Sequence, residues 1–491
     1  MSERRSNKRP ADESDDGSQP KRQDEDPSGT PPEGADWPSP DDLPGTSAPQ
    51  TGPPNLENRL VVATLGYSQI REDQYNDGGY LRIVPRQVLG GVQEVVKYLN
   101  RGHYSSAWLS KRTDNGAYEV VKVSKSDPRF AVPTRKEIEI LKTIQSKKPH
   151  PNIVKLLGSF EESNGQFSHV TMVLEVMGPN LQYAIHSSGK KMHLEVVRRV
   201  SKQLLGALKY IHQRGIVHMD IKPNNIMLAI TNADVARLAA NNNPAYEIYD
   251  MDITNPSANI VAKLADFGLS FDKSEPARRR VPPTCPYRGP ETFLTELADT
   301  YTDMWSMGCV IFEMLVGSIL FDCSQYRDNP QHPFVHFGML NVILGAVPKA
   351  PYEANLRPEF RDIFDEYGNV RLPPRTIGSP FFGIGLFNKL SIDDSNEFSQ
   401  LMDMFFKYDM TGRVTAEQAL AHNFLQPNGG RNTFGPEMVR QNRSQQSSNS
   451  SSSAYNLDVG SPIYEEEPST SYGGYPQKPE DGPSYSGQNN F

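Results

Sequence analysis

The chain of 491 residues carries a formal net charge of −8, with a pI near 5.8 and a mean hydropathy of −0.58. This acidic balance argues against a general nucleic-acid binder, and the sequence lacks the run of about 18 apolar residues that would predict a membrane span. The polar composition predicts an intracellular, soluble protein with disordered parts.

Residues 1–55 are rich in Pro, Ser, Asp, Glu and Gly and contain almost no large apolar side chains, so we predict a disordered tail. Two basic pairs in this tail, Lys8-Arg9 and Lys21-Arg22, resemble a bipartite nuclear-import signal. Acidic residues between the pairs leave a solvated, mixed-charge segment as the alternative. We therefore expect the protein in both the cytoplasm and the nucleus.

Strand patterns mark the first folded segments. Gly78-Gly79-Tyr80 is predicted to open them, and the strand-like stretches "LRIV" (81–84) and "VQEVVKYL" (92–99) follow. Another strand is predicted to run through Lys122, in "EVVKV". Residues 56–91 are assigned to an extension that precedes the main domain.

The stretch Leu99–Ser110, "LNRGHYSSAWLS", has the position of a hairpin that covers phosphate groups. Glycines in such a hairpin let backbone N–H groups approach phosphate oxygens. Gly102 is the one glycine in this stretch, while Asn100 and Ser105 stand where two others are expected. Because asparagine tolerates positive φ better than most residues, the turn is expected to survive the replacement.

A helix is predicted over Thr134–Ile144, because apolar residues recur there at helical spacing. Its Glu137 would point toward Lys122 and hold that lysine in an ion pair. Glu139 is the rival partner, and the register of the surrounding motifs favours Glu137. The other interpretation of Glu137 is a solvated residue on a charged helix face.

The stretch "HVTMVLEVMGPNL" (169–181) predicts a buried strand that runs into a linker. Leu174 would border an adenine pocket, and the backbone from Glu175 to Met177 would contact the adenine edge. A plain core strand that ends in a Gly-Pro turn has the same local pattern, so the nucleotide interpretation depends on position in the chain. Further on, Val196–Arg214 is predicted to form a long buried helix with Gly215 as its C-terminal cap.

Four polar residues of two motifs can carry chemistry: Asp220, Lys222 and Asn225 of "VHMDIKPNNIML" (217–228), and Asp266 of "KLADFGLS" (263–270). Transfer of the γ-phosphoryl group of ATP needs a carboxylate that orients the nucleophile and takes its proton, and cations against the phosphate charge. Asp220 suits the base. Asn225 and Asp266 suit Mg²⁺, a hard ion that takes oxygen ligands. Lys122 suits the α- and β-phosphates as a point charge.

An insert rich in Asn and Ala, about 230–258, separates the two motifs. It is predicted to be a surface excursion, either a passive loop or a lid or partner site.

Three cysteines follow, Cys285, Cys309 and Cys323, and they favour a reducing compartment over a disulfide framework. They show no spacing typical of a metal site, and Cys285 is either a reactive thiol or a packed one.

An apolar helix is predicted over Asp303–Leu315, and its Asp303 would brace the backbone near Asp220, cap the helix, or do both. More helical segments are expected to run to about Leu425. Residues 426–491 are rich in Ser, Asn, Gln, Gly and Tyr, so we predict a second disordered tail.

Lys122, the acidic helix, D-x-K-x-x-N, D-F-G and G-P-E occur in the order of the protein-kinase signature set. From Tyr80 to Leu425 the chain resembles the eukaryotic protein kinases, and more narrowly the SR protein kinases, which phosphorylate arginine-serine repeats. The narrower resemblance rests on "GGYLRIVPRQVL" (78–89), "RGHYSSAWLS" (101–110), "VLEVMGPNL" (173–181), "HMDIKPNNIML" (218–228) and "VILGAVPKAPYEANLRPEFRDIFDEYGNVR" (342–371).

The resemblance implies a two-lobed α+β fold with ATP between the lobes. The kinase domain would span 92–425, with a β-rich N-lobe at about 92–177 and a helical C-lobe at about 178–425. It also implies a serine/threonine protein kinase that uses ATP and Mg²⁺ and acts on proteins, among them arginine-serine-rich splicing factors. We expect a monomer that contacts neither nucleic acid nor membrane directly.

The resemblance also implies roles for single residues. Asp220 would be the catalytic base, Lys222 would contact the γ-phosphate, and Asn225 and Asp266 would hold Mg²⁺. Lys222 after Asp220 is typical of the serine/threonine type rather than the tyrosine type. The remaining nucleotide-binding residues would be Leu99, Asn100, Gly102, Ala107, Val120, Lys122, Glu137, Leu174, Glu175, Met177 and Met227, with Val120 and Met227 on either side of the adenine.

A buried ion pair between Glu291 and Arg413 is a further implication of the resemblance.

Other positions depart from the family pattern, and each departure leads to an expectation. Met219 replaces the arginine that receives a phosphorylated activation loop in many kinases, so activation is expected not to depend on such phosphorylation. Gly289 replaces the usual alanine before Pro-Glu, which is a mild change.

Two departures concern the substrate. Ser318 and Val342 stand where SR protein kinases carry carboxylates that dock basic repeats, and Arg278–Arg280 lie near the substrate's path. Like charges would repel an arginine-rich peptide. An active kinase with a different, non-repeat substrate is therefore one alternative. A pseudokinase scaffold, supported by the glycine-poor phosphate loop, is the other.

Overall fold

The computed structural model describes residues 59–63, 70–163, 167–186, 191–241, 246–275, 284–295, 297–323, 332–371 and 381–426. These residues lie within one unit, Met1–Arg431. The greater part of both predicted tails, with the two basic pairs, lies outside the described residues, and so does Arg278–Arg280. None of the helices in the described ranges combines the length and the apolar composition needed to traverse a lipid bilayer.

Strands dominate the first part of the described chain and helices the rest. The strands are β1 (Leu60–Ala63), β2 (Val88–Leu89), β3 (Gln93–Arg101), β4 (Ser105–Arg112), β5 (Tyr118–Ser124), β6 (Leu156–Ser163), β7 (Ser168–Leu174), β8 (Ile216–Val217), β9 (Ile226–Leu228), β10 (Tyr246–Tyr249), β11 (Ala262–Leu264) and β12 (Phe271–Asp272). The helices are α1 (Pro128–Gln145), α2 (Leu181–His186), α3 (Leu194–His212), α4 (Asn232–Ala240), α5 (Glu291–Leu294), α6 (Thr300–Val316), α7 (His332–Leu344), α8 (Phe381–Phe387), α9 (Ile392–Phe405) and α10 (Ala416–Leu420). The predicted α+β architecture of a β-rich and a helical lobe is confirmed.

Strands β2 to β7 form one antiparallel sheet in the spatial order β2-β3-β4-β5-β7-β6. Its register pairs Ala107 of β4 with Lys122 of β5, and Val120 of β5 with Leu174 of β7. Successive side chains of a strand alternate between the two faces of a sheet, and paired residues share a face. The four side chains therefore project from the same face, which is the face that bears the site.

Helices α3 and α6 form the centre of the helical lobe. Helix α6 is buried from Thr302 to Leu315, and Trp305 is one of its fully buried side chains. The helix begins at an Asp299 cap and ends at Gly317, whose φ of +83° suits a residue without a side chain. A helix that is apolar on all sides needs neighbours on all sides, so α6 holds the lobe together.

Strand β1 pairs antiparallel with β10, which belongs to the predicted insert. Leu60 and Val62 of β1 are buried. The described fold therefore begins well before Gly78-Gly79-Tyr80, and the prediction that those residues open it is wrong. The insert is not irregular either, because α4 and β10 give it regular structure.

One predicted strand and two predicted helix boundaries also need correction. The "LRIV" segment forms no strand; Leu81 and Ile83 instead pack against the outer face of the sheet without joining its ladder. Helix α1 begins six residues before the predicted Thr134, because Asp127 caps it, and it accommodates Pro133 in its second turn. Helix α3 ends at His212 rather than Arg214.

The predicted pair of Glu291 and Arg413 is confirmed. The two guanidinium NH groups of Arg413 donate to the two carboxylate oxygens of Glu291 at 2.7 and 2.6 Å, and both side chains are fully buried. Arg413 also donates to the carbonyl oxygens of Tyr301 and Lys407 and lies 4.8 Å from the Trp305 ring centroid. The pair therefore ties α5 to α6 and to the segment that precedes α10.

Replacing Arg413 with methionine should lower the free energy of unfolding by about 3–5 kcal/mol, because Glu291 would stay buried without a counter-charge. Chemical denaturation followed by circular dichroism measures this cost. The double variant Glu291→Met/Arg413→Met removes both charges and should recover most of the loss. A cost below about 1 kcal/mol for the single variant would contradict this interpretation.

Candidate active site between the sheet and the helical lobe

A cavity of about 280 Å³ lies between the sheet and the helical lobe. Ligand pockets in proteins measure roughly 300–1,000 Å³, so the cavity is close to the lower end of that range. The predicted nucleotide-binding residues that line it are Leu99, Asn100, Ala107, Val120, Lys122, Glu137, Leu174, Glu175, Met177, Met227 and Asp266, and predicted Asn225 lines it as well. Residues from the two halves of the chain thus meet at one cavity.

Lys122 lies between two carboxylates. Its Nζ is 3.3 Å from Glu137 of α1 and 3.2 Å from Asp266. Burial alone would lower the pKa of Lys122, but the two carboxylates raise it above its ordinary value. The charge of Lys122 in turn lowers the pKa of Asp266. Glu139 instead pairs with Lys142 at the surface, so the structure places Glu137 beside the lysine.

The backbone around Asp266 completes this arrangement. Asp266 has a φ of +63°, an uncommon value for a residue with a side chain. The next residue, Phe267, is fully buried, and its backbone N–H donates to Glu137 at 3.1 Å. The conformation of this short segment therefore fixes the position of both carboxylates around Lys122.

Asp220, Lys222 and Asn225 form one hydrogen-bonded group. The Nδ2 of Asn225 donates to the backbone oxygen of Asp220 at 2.9 Å and to its Oδ2 at 2.8 Å. The Nζ of Lys222 lies 2.7 Å from the same Oδ2. Thr284 joins the group: its hydroxyl donates to Oδ1 of Asp220 at 2.8 Å and accepts from Lys222 at 2.7 Å. Sequence reasoning missed Thr284, because it lies 64 residues beyond Asp220 and stands in no motif with it.

Asp303 holds the backbone that presents Asp220. Its two carboxylate oxygens accept from the N–H groups of His218 and Met219, each at 2.8 Å, as predicted. It does not cap α6, since Asp299 does. Met219 has a φ of +70°, and such strained backbone persists only where its surroundings hold it.

The ring of His218 supports the same turn. It is fully buried, and burial lowers its pKa, so the ring is neutral near pH 7. Its Nε2 donates to the carbonyl oxygen of Ala265 at 3.2 Å, next to Asp266, and its Nδ1 accepts from the N–H of Asp220 at 3.3 Å. One side chain thus links the two motifs.

Asn225 and Asp266 fit a magnesium ion by the chemistry of their donor atoms. Both hydrogens of the Asn225 amide are used in bonds to Asp220, so its oxygen Oδ1 is the atom that a metal would contact. Asp266 is a carboxylate whose lowered pKa keeps it ionised. An amide oxygen and a carboxylate are oxygen ligands that Mg²⁺ accepts.

The carboxylate of Glu175 is held by two contacts. It lies 2.8 Å from Nζ of Lys263 and accepts from the backbone N–H of Lys155 at 2.8 Å. These contacts hold the linker after β7, where Glu175 and Met177 both line the cavity.

Gly102 is the predicted nucleotide residue that the structure does not place at the cavity. Its N–H donates to the carbonyl oxygen of Ser105 in the turn between β3 and β4, and its own carbonyl oxygen accepts from the hydroxyl of Tyr80. The turn between β3 and β4 is present as expected, but Asn100 itself belongs to β3 and does not have positive φ.

The insert forms part of the cavity wall. From the sequence, it could have been either a passive loop or a lid or partner site. Leu238 of α4 and two residues of β10, Glu247 and Tyr249, line the cavity. Lys97 of β3 donates to the carbonyl oxygens of Leu238 and Asn241 at 3.3 and 3.2 Å, and lies 3.9 Å from Glu247. The insert therefore bridges the two lobes beside the cavity and is not a passive loop.

Comparison with known proteins shows which family the chain resembles. The model of the protein kinase domain family matches residues 93–425. Serine/threonine-protein kinase SRPK of Physarum polycephalum is 28% identical over 393 residues, which cover 72% of this chain and 90% of that protein. SRSF protein kinase 3 of Sus scrofa is 32% identical over 206 residues, which cover 40% of this chain and 36% of that protein.

A crystal structure of a kinase domain superposes with a TM-score of 0.54 at 24% sequence identity, covering 71% of this chain and 99% of that one, which shows the shared fold. The family match extends over most of the described sheet and the helical lobe. The chain therefore belongs to the protein kinase family, and it is similar to SR protein kinases at modest identity.

Proposed function

We propose that this kinase transfers the γ-phosphoryl group of ATP to serine or threonine hydroxyls of proteins. The observation that carries the proposal is the meeting of Lys122, Glu137, Asn225 and Asp266 at one cavity, with Asp220 hydrogen-bonded to Asn225. Phosphoryl transfer depends on positioning and on electrostatic stabilisation rather than on covalent chemistry by the protein. The described site holds side chains that can position the reactants and side chains that can offset the phosphate charge.

Each side chain has a defined task in this proposal. Asp220 orients the acceptor hydroxyl and takes its proton, while Lys222, 2.7 Å from the carboxylate of Asp220, contacts the transferred group. Lys122, held by Glu137, binds the α- and β-phosphates. Bound Mg²⁺, on Asn225 and Asp266, would neutralise charge on the phosphate oxygens. Thr284 keeps the carboxylate of Asp220 and the amine of Lys222 in place.

A scaffold without transfer activity is the competing function. The turn after β3, which has Gly102 as its one glycine, favours it because fewer glycines cover the phosphates. The intact charged groups favour activity, since they carry the electrostatic part of catalysis. We therefore propose the enzyme, and the absence of transfer to any protein by the purified wild-type chain would favour the scaffold.

Arginine-serine repeats are the substrate class that we propose within this activity, in line with the similarity to SR protein kinases. The positions that would dock such repeats carry no charge here: Ser318 is exposed, and 44% of Val342 is exposed. Docking of basic repeats should therefore be weak, because electrostatic complementarity is missing at these positions.

Replacing Asp220 with asparagine should lower kcat about 10²- to 10⁴-fold, because the base that accepts the hydroxyl proton is lost. The affinity for ATP should change by less than about twofold, because Asp220 acts on the nucleophile. Radiolabel transfer to a mixed serine and threonine peptide library, with calorimetric titration of ATP, measures both. An equal loss of affinity and turnover would contradict the assigned role.

Replacing Lys97 with alanine should weaken ATP binding about fivefold, which corresponds to roughly 1 kcal/mol for the lost hydrogen bonds between β3 and the insert. Titration with ATP measures the change. Lys111→Ala is the matched control, because that lysine is exposed on neighbouring β4 and faces Tyr118 rather than the insert. Equal effects of the two substitutions would show that the insert does not support the cavity wall.

Introducing carboxylates at the docking positions, in the variant Ser318→Asp/Val342→Asp, should lower KM for an arginine-serine peptide about two- to fivefold. The gain should shrink as salt concentration rises, because exposed charges are screened. The neutral variant Ser318→Asn/Val342→Asn controls for shape. An unchanged KM at low salt, or no preference for arginine beside serine in a peptide library, would exclude repeat-directed docking at this surface.

A further inference from the structure

A second cluster, made of cysteine and histidine side chains, lies outside the candidate active site. The Sγ atoms of Cys285 and Cys323 are 2.6 Å apart, and Nε2 of His332 is 2.8 Å from Sγ of Cys285. The ligand atoms of these three residues all lie within 4.8 Å of one another. His336 adds a fourth group, with Nδ1 at 3.6 Å from Sγ of Cys285.

The orientation of His336 is set from its other side. Its Nε2 lies 3.2 Å from the carbonyl oxygen of Arg288, which can only accept, so Nε2 carries the hydrogen. The ring is fully buried, and with its hydrogen on Nε2 it presents the lone pair of Nδ1 toward the sulfurs. Histidines that bind metals are commonly held in this way by a backbone carbonyl on the opposite nitrogen.

Two thiols and two imidazoles are a donor set typical of zinc. Zinc binds Cys₂His₂ sets in tetrahedral geometry, with Zn–S distances of about 2.3 Å. That geometry places two sulfurs about 3.8 Å apart, so Cys285 and Cys323 would separate by roughly 1 Å on binding.

We propose that Cys285, Cys323, His332 and His336 bind one zinc ion. The site would join three separate parts of the helical lobe: the segment before α5, the segment after α6, and helix α7. Cys285 directly follows Thr284, which contacts Asp220 and Lys222. The ion would thus fix the segment that reaches the candidate catalytic group. The cysteines have no spacing in the sequence that is typical of a metal site, because the proposed ligands come together only through the fold.

The metal content of the full-length chain, purified under reducing conditions without metal-affinity resin, tests the proposal by mass spectrometry of the elements. We expect one zinc per chain. The variant Cys285→Ser/Cys323→Ser should retain less than about a tenth of that amount. Cys309→Ala is the matched control and should keep its zinc, because that cysteine is buried in α6 outside the cluster. Zinc-free wild-type protein, or full zinc content in the double variant, would overturn the proposal.

Cobalt provides a measurement on the wild-type chain that does not depend on a variant folding. After removal of zinc with a chelator, addition of Co²⁺ should produce the thiolate-to-metal absorption and the visible bands of a tetrahedral site, and added zinc should abolish them. Peptide mapping without reductant tests the alternative, in which Cys285 and Cys323 form a disulfide. Metal-free protein with a Cys285–Cys323 disulfide and no cobalt spectrum after reduction would overturn the zinc site in favour of a redox pair.

Discussion

One cation between two carboxylates is the interaction on which the rest of the structure depends. Lys122 comes from the sheet, Glu137 from α1 and Asp266 from the helical lobe. Glu137 is buried, and a buried carboxylate is costly unless it has a partner within a few ångströms. The arrangement around Lys122 depends on the register of β5, the position of α1 and the left-handed backbone at Asp266. Elements far apart in the chain are thereby held in one arrangement around the cavity.

Two kinds of feature could be predicted from the sequence: elements with a local residue pattern, and residues that belong to motifs in a fixed order along the chain. Helix α6 is apolar along its length, so its existence follows from the sequence. The groups around Lys122 and the pair of Glu291 and Arg413 follow from the motif order, because partners that stand in known order can be matched without coordinates. Boundaries were less accurate: α1 begins at the Asp127 cap and continues through Pro133, although proline usually interrupts a helix.

The remainder depends on tertiary contacts that leave no periodic signal. "LRIV" has the composition of a strand, yet it covers the sheet without pairing, and composition alone does not distinguish these outcomes. Thr284 acts on Asp220 through a contact that only the folded chain creates. The same holds for the insert, whose Leu238 reaches the cavity because Lys97 holds α4 against the sheet. The group of Cys285, Cys323 and His332 likewise has no spacing that identifies it.

The pairing of β1 with β10 has a consequence for how the kinase can be divided. The family match begins at residue 93, whereas β1 ends at Ala63. A shortened chain that starts at the family boundary would lose the partner of β10 and expose one row of its backbone N–H and C=O groups. Such an unprotected strand edge invites pairing with another molecule. The segment outside the recognised domain is thus an integral part of the folded body, and trimming it would favour self-association.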